Sequence, residues 1–226
     1  QGIYPLNYYP HNVHFQTWAA LMQGNSSGAI EAARKVAAKV PEDLHGNVWA
    51  LYQTFLSMPL YTLTRFGKWE DILAEPAPPK NLHYWNGIYH YARGMAYVHT
   101  AKVNAAKQEL DAITTIIENP DAITEMIGFS NAEKLLTIAR EVLAGELAAS
   151  QGRYDESLSH LGRAVRLEDS LAYSEPPDWY YPVRHTLGAV LLEAGYPAEA
   201  EVVYWEDLKR YRDNGYSLFG LWKSQN

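Results

Sequence analysis

Five stretches of the chain carry the same turn. "LMQGNSSGAIEAARKVA", "LTRFGKWEDILAE", "YVHTAKVNAAKQELDAI", "LAASQGRYDESLSHLGRAV" and "LLEAGYPAEAEVVYWEDL" each run an apolar helix end into a small residue, then into a second amphipathic helix. The turn residues are Gly24, Gly67, Ala101, Gly152 and Gly195. A helix that ends through the left-handed region favours glycine there, because a Cβ in that conformation crowds the backbone. Ala101 departs from this rule and weakens the third unit. Strand signals are nearly absent. Helix pairs repeated in this way can bury their apolar stripes only by stacking one pair on the next. The expectation is an all-α fold, an α-solenoid of antiparallel helix pairs.

The turns are 43, 34, 51 and 43 residues apart, so some units carry longer helices or inserted loops. Five residues after four of the turns stands a small residue, Ala29, Ala106, Ser157 or Ala200, which lets the second helix lie close against the first. Seven residues before three of them, Gly94, Gly145 and Gly188 serve the same end from the other side. The second unit is the least regular, with Pro59 inside its first helix and Ile72 where a small residue is expected. "AEPAPPKN" (74–81) cannot be helix interior and reads as an extended link. "YSEPPDWYYP" (173–182) reads as a stiff loop ending in an aromatic cluster. "ENPD" (118–121) is a turn signal and the start of a short helix. Asn25-Ser26-Ser27 fits a glycosylation sequon but reads as a helix cap. Both inserts are short, so a single domain is expected, with units at about 10–41, 44–75, 82–118, 130–169 and 178–212 and a final helix at 214–226.

These features resemble the tetratricopeptide repeat (TPR) family. In "RHTLGAVLLEAGYPAEAEVVYWEDL", Leu187–Gly188, Gly195, Ala200 and Tyr204 fall where that pattern wants Leu-Gly, the turn, Ala and an aromatic. Gly94, Tyr97 and Ala106, and then Gly145, Gly152, Ser157 and Ala164, repeat it, and Pro41 ends the first unit at the usual place. The resemblance is strongest over 85–226. It implies a right-handed superhelix, a role in holding a protein or peptide partner, and, as in similar bacterial proteins, further repeats upstream of "QGIYPLNYY", which reads as a connector.

In such a superhelix the first helix of each pair lines the concave side, with a stripe 13, 10, 6, 3 and 2 residues before each turn. The stripe includes His11, His14 and Trp18 from unit one and Thr54, Tyr61 and Arg65 from unit two. Later units contribute Tyr91, Met95 and His99, then Glu146, then His185, Leu192 and Glu193. The candidate ligand-binding groove residues are His14, Trp18, Tyr61, Arg65, Tyr91 and His185. The family's basic clamp for acidic peptide C-termini is missing, because His14, Trp18, Met58, Ile88 and Ala92 stand at its positions. Arg93 is expected to turn into a helix interface. The groove suits an aromatic-rich peptide, or a small ligand stacked on Trp18 and Tyr91.

His11 and His14, three residues apart, are the sharpest alternative: neutral imidazoles on one helical face could take zinc or copper. Two histidines are only half a tetrahedral site, and Glu146 and His185 would complete it only if the superhelix closed tightly. No nucleophile elbow, phosphate-cradling loop or cysteine is present, so no catalytic residue is assigned and a binding role is favoured over an enzyme. Asp71, Glu109 and Glu199, on second helices, are expected on solvated faces. "EPPDW" places an acid beside aromatics, as sugar sites do, although a stiff loop explains it equally well. A third alternative is a purely structural segment of a longer array.

Composition narrows the partners. Nineteen Lys and Arg against 26 Asp and Glu give a net charge of −7. No basic stripe appears, so nucleic acid is not expected, and the acidity favours neutral or cationic ligands. No apolar run approaches the roughly 20 residues that cross a bilayer. The absence of cysteine rules out disulfides and thiolate metal sites. The chain begins at Gln1 without a signal-peptide pattern, so any targeting segment is expected to lie outside it; no compartment is assigned.

Overall fold

The computed structural model describes residues 8–41 and 48–226. The connector before Tyr8 and the start of the second unit at 44 lie outside the described residues. The chain is all-α. Its long helices come in pairs: α1 (Tyr9–Met22) with α2 (Ser26–Ala37), α3 (Val48–Arg65) with α4 (Trp69–Ala74), and α5 (His83–His99) with α6 (Val103–Ile117). A short α7 (Pro120–Ile123) and a two-residue hairpin, β1 (Met126–Ile127) with β2 (Ser130–Asn131), follow. Then come α8 (Ala132–Ala149) with α9 (Tyr154–Asp169), α10 (Val183–Glu193) with α11 (Pro197–Arg210), and a last helix, α12 (Gly215–Ser224). The hairpin, which turns at Gly128 (φ 61°), has no counterpart in the sequence reading.

All five turn residues are left-handed: Gly24, Gly67, Gly152 and Gly195 at φ 71°, 63°, 70° and 83°, and Ala101 at φ 57°. Each closes its helix with the same two backbone bonds. At the first turn Gly24 N–H reaches Leu21 O at 3.1 Å and Asn25 N–H reaches Ala20 O at 2.9 Å, and the pattern repeats at every later turn. This is the Schellman closure, and it satisfies carbonyls that a helix end would leave bare. The residue five beyond the turn then makes the first amide bond of the new helix, as Ala29 N–H does to Asn25 O at 2.9 Å. Ala29, Ile72, Ala106, Ser157 and Ala200 in that position are fully buried. The side chain of Asn25 accepts from Gly28 N at 3.1 Å, so the sequon acts as a helix cap. Helix α3 continues through Pro59.

Small residues set the helix spacing. A Cβ on Gly188 would lie 2.4 Å from the ring of Tyr204, one on Gly145 would lie 2.7 Å from Leu161, and one on Gly94 would lie 2.4 Å from Leu143. The first two are contacts within a pair; the third joins α5 to α8 of the next unit. Arg93 turns into the α5–α6 interface and donates from Nε to Glu109 at 2.9 Å, where His90 Nδ1 lies 2.6 Å from the same carboxylate. Glu109 is therefore buried and paired, not on a solvated face as the sequence suggested. Asp71 and Glu199 are exposed.

The first helices follow one another around the molecule, and the ends meet. Tyr216 Oη at the start of α12 donates to Leu21 O at the end of α1 (3.0 Å), and the rings of Trp18 and Tyr211 lie 6.2 Å apart. The loop at 173–182 folds inward. Trp179, Tyr180 and Tyr181 are buried, and Tyr180 stacks on Tyr61 at 4.1 Å. Three large aromatics removed from water contribute on the order of 2 kcal/mol each. The core of the ring is thus closed by its own loop.

Candidate functional site

The residues of the expected stripe meet different neighbours from those the sequence suggested. Tyr61 and Tyr91 do point to the centre, and there they touch the 173–182 loop instead of open space. Tyr61 Oη pairs with Tyr84 Oη at 2.6 Å, and Tyr91 Oη with Tyr180 Oη at 3.1 Å. Their exposures are 1% and 0%. Burial drives both phenols well above their usual range. Neither is available to a ligand, and no ligand can stack on Trp18 and Tyr91 together. What remains open lies on two sides of this plug.

On the first side the C-terminal ends of α3, α5 and α8 face α10 and α12. The centre of this side is Arg65. Its guanidinium lies 3.7 Å above the ring of Tyr216 and 4.8 Å from that of Tyr181. Its Nη2 donates to His185 Nδ1 at 2.8 Å, and Nε2 of His185 lies 3.0 Å from Asp207 Oδ2. One tautomer serves both bonds: the proton is on Nε2 and is given to Asp207, while Nδ1 accepts from Arg65. Asp207 is fixed in turn by Asn214 Nδ2 at 3.0 Å and Ser217 Oγ at 2.7 Å. Burial pushes the Asp207 carboxyl up, but these donors and His185 outweigh it and hold it below its usual range. Burial lowers His185 despite Asp207. The chain Asp207–His185–Arg65 fixes the guanidinium without neutralising it. None of the ion pairs of arginine or lysine among the described residues includes Arg65.

Arg65 forms the wall between two cavities. One, of about 400 Å³, is also lined by Glu146, His185, Glu193, Phe219 and Lys223. The other, of about 260 Å³, adds Trp69, His99 and Tyr181. His99 stacks on Trp69 at 4.5 Å and stands 3.7 Å from Glu146. Burial, and then the charge of Glu193, push the Glu146 carboxyl up to about 7; burial lowers His99. Arg65 therefore faces a carboxyl that ionises only in part near neutral pH, beside Glu193 and Lys223 at the same cavity.

The second side holds His11, His14 and Trp18. His14 is 8% exposed and packs edge-on against Phe55 at 5.6 Å. Burial, and then His11, lower it to about 4. His11 and His14 line a cavity of about 360 Å³ with Thr54, Glu175 and Asp178. Among the described residues no three ligating side chains come together closely enough to hold a metal ion. Ring closure brings unit one to unit five, but neither Glu146 nor His185 reaches these histidines; both lie beside Arg65. Trp18, half-buried, lines a separate cavity of about 290 Å³ with Phe15, Tyr211 and the loop 173–179.

Of the expected groove residues, the structure brings Arg65 and His185 together, leaves Trp18 and His14 at cavities on the other side, and buries Tyr61 and Tyr91. Sequence reasoning missed Asp207 and Tyr216, which stand one helix beyond the stripe it followed, and it missed the inward turn of Trp179–Tyr181. The signal for that turn was present: a Pro-Pro loop closing on three consecutive aromatics is too apolar to remain in water. No protein-family model, curated protein or solved structure matches this chain.

Proposed function

We propose that the chain is a binding module: a TPR-like, right-handed superhelix of antiparallel helix pairs that holds the carboxylate of a peptide or small ligand at Arg65 and performs no chemistry of its own. One observation carries this reading: a guanidinium braced by His185 and Asp207, laid on Tyr216, walling two cavities and lacking a carboxylate partner among the described residues. A guanidinium held by a fixed neighbour loses little freedom when it binds, and its planar fork matches a carboxylate in two parallel bonds. The acidic net charge favours other ligands at long range, but the last few ångströms are decided by the local field. Filling of the groove by Trp179–Tyr181 speaks for a structural segment at the centre, so the binding reading is placed at the side that stays open.

The test is a thermal-shift screen of mono- and dicarboxylates at constant ionic strength, with Arg65→Gln beside the parent. The expected result is a rise in Tm for the parent that Arg65→Gln lacks, corresponding to a loss of roughly ten- to a hundredfold in affinity. An equal shift in both proteins would refute the assignment to Arg65.

The metal reading keeps one supporting observation, the cavity shared by His11, His14, Glu175 and Asp178. Calorimetric titration with zinc and copper(II), beside His11→Ala/His14→Ala, decides it: stoichiometric binding lost in the variant would establish a metal site. Heats unchanged by the substitutions would remove it.

A further inference from the structure

Arg65 and Glu146 line the same two cavities, yet among the described residues they form no ion pair with each other. The guanidinium is committed to His185 and to the ring of Tyr216. The carboxyl of Glu146 reaches only His99, at 3.7 Å, which is beyond a hydrogen bond. Neither of its oxygens accepts a hydrogen bond among the described residues, and neither is sealed from solvent. Glu193, exposed at the larger cavity, adds a second carboxylate, near enough for its charge to raise the first. Lys223 lies over Phe219, 5.4 Å from the ring centre, and pairs with neither carboxylate.

The cavity of about 400 Å³ therefore carries both signs of charge, held apart. Two carboxylates in one half-enclosed space disfavour each other's ionised form, and a cation between them removes the conflict. A simple anion would answer Arg65 and leave Glu146 and Glu193 opposed. A simple cation would answer the carboxylates and meet Arg65. A ligand bearing both charges a few bonds apart answers both ends. The rest of the wall is apolar: Leu192 is half-buried, and Phe219 leaves 57% of its surface in water. Covering that surface with a hydrocarbon side chain is favourable.

We infer that this cavity binds a free α-amino acid with an apolar side chain, its carboxylate on Arg65, its ammonium between Glu146 and Glu193, and its side chain against Leu192 and Phe219. The inference rests on the reading that Arg65 holds a carboxylate, and it names the molecule that carries one. An ammonium beside Glu146 favours the ionised carboxyl, so binding restores the charge that burial and Glu193 suppress. The last residue of a peptide has the same carboxylate and side chain, but an amide replaces its ammonium and leaves the two carboxylates unanswered.

The experiment is calorimetric titration of the chain at pH 7 with leucine and four relatives that each lack one of its groups. These are 4-methylpentanoate, without the ammonium; leucinamide, without the carboxylate; N-acetyl-leucine, with the amide of a peptide end; and glycine, without the side chain. Leucine should bind at least tenfold more tightly than each of them. Glu193→Gln, at an exposed position, should weaken leucine about tenfold and leave 4-methylpentanoate no weaker, and Glu146→Gln should act in the same direction. Arg65→Gln should weaken both ligands, and Trp18→Ala, on the other side of the plug, neither. If 4-methylpentanoate, N-acetyl-leucine or glycine equals leucine while Arg65→Gln abolishes binding, the carboxylate reading stands and this inference fails. Leucine binding that survives Arg65→Gln, or no binding of any of the five, overturns both together.

Discussion

At Ala101 the backbone does what its side chain resists. The residue sits at φ 57° in the same two-bond closure as the four glycines, with Ala101 N–H to Val98 O at 3.1 Å and Lys102 N–H to Tyr97 O at 2.8 Å. Left-handed backbone costs an alanine about 1 kcal/mol relative to glycine, whereas glycine gives up more freedom on folding. The strain is the larger effect, since Ala101 is exposed and its methyl group gains little from packing. Ala101→Gly should therefore stabilise the chain by roughly 0.5–1 kcal/mol, read as a higher urea midpoint at unchanged slope. A lower midpoint would mean that the methyl group packs usefully. The four glycine turns were the most legible features in the sequence, because a single backbone torsion angle, φ, selects the residue type directly.

At the scale of helix pairs, the same substitution changes sign with its neighbours. A Cβ at Gly188 would lie 2.4 Å from the ring of Tyr204, and that ring has no room to retreat, since a Cβ at Gly220 would lie 2.2 Å from its other side. Gly188→Ala should cost about 1–3 kcal/mol through overpacking, outweighing the roughly 1 kcal/mol by which alanine favours a helix. At Gly162 a new Cβ meets only the end of Arg166, at 3.5 Å. Gly162→Ala should stabilise α9 by up to about 1 kcal/mol, and the two variants in one denaturation series provide the contrast. The helices and their crossings were legible because period and residue size are local properties. Glu109 was misread for the complementary reason: position on a second helix suggested solvent, whereas His90 and Arg93, 19 and 16 residues away, reach across to bury it. The identity of a buried carboxylate's partner depends on the crossing of two helices, which a pattern along one helix does not contain.

At the scale of the whole molecule, closure of the ring decides which residues meet. The bond from Tyr216 to Leu21 spans 195 residues, and it places α12 where Tyr216 can lie under Arg65. His185 and Arg65, 120 residues apart, become partners through the same closure. Closure also sets the half-buried Glu146 among Arg65, His185, Glu193 and Lys223 on one side and His99 and Tyr181 on the other. Its carboxyl, pushed up from 4.5 to about 7, is neutral in the folded chain where an unfolded chain would already be ionised. A raised carboxyl contributes stability below its unfolded value, and that stability is lost as pH rises from about 4.5 through 7. The same ionisation places a negative charge opposite Arg65. Carboxylate binding at Arg65 should then weaken by roughly tenfold between pH 6 and pH 8, the size expected when a like charge enters a partly buried site. Burial lowers both His99 and His185, which favours their neutral forms and keeps them from opposing the trend. Glu146→Gln should flatten the pH dependence of binding and raise Tm at pH 8 more than at pH 5. A binding profile that keeps its slope in Glu146→Gln would assign the titration to another group. A Tm gain equal at both pH values would show that Glu146 is not the neutral carboxyl of this cavity.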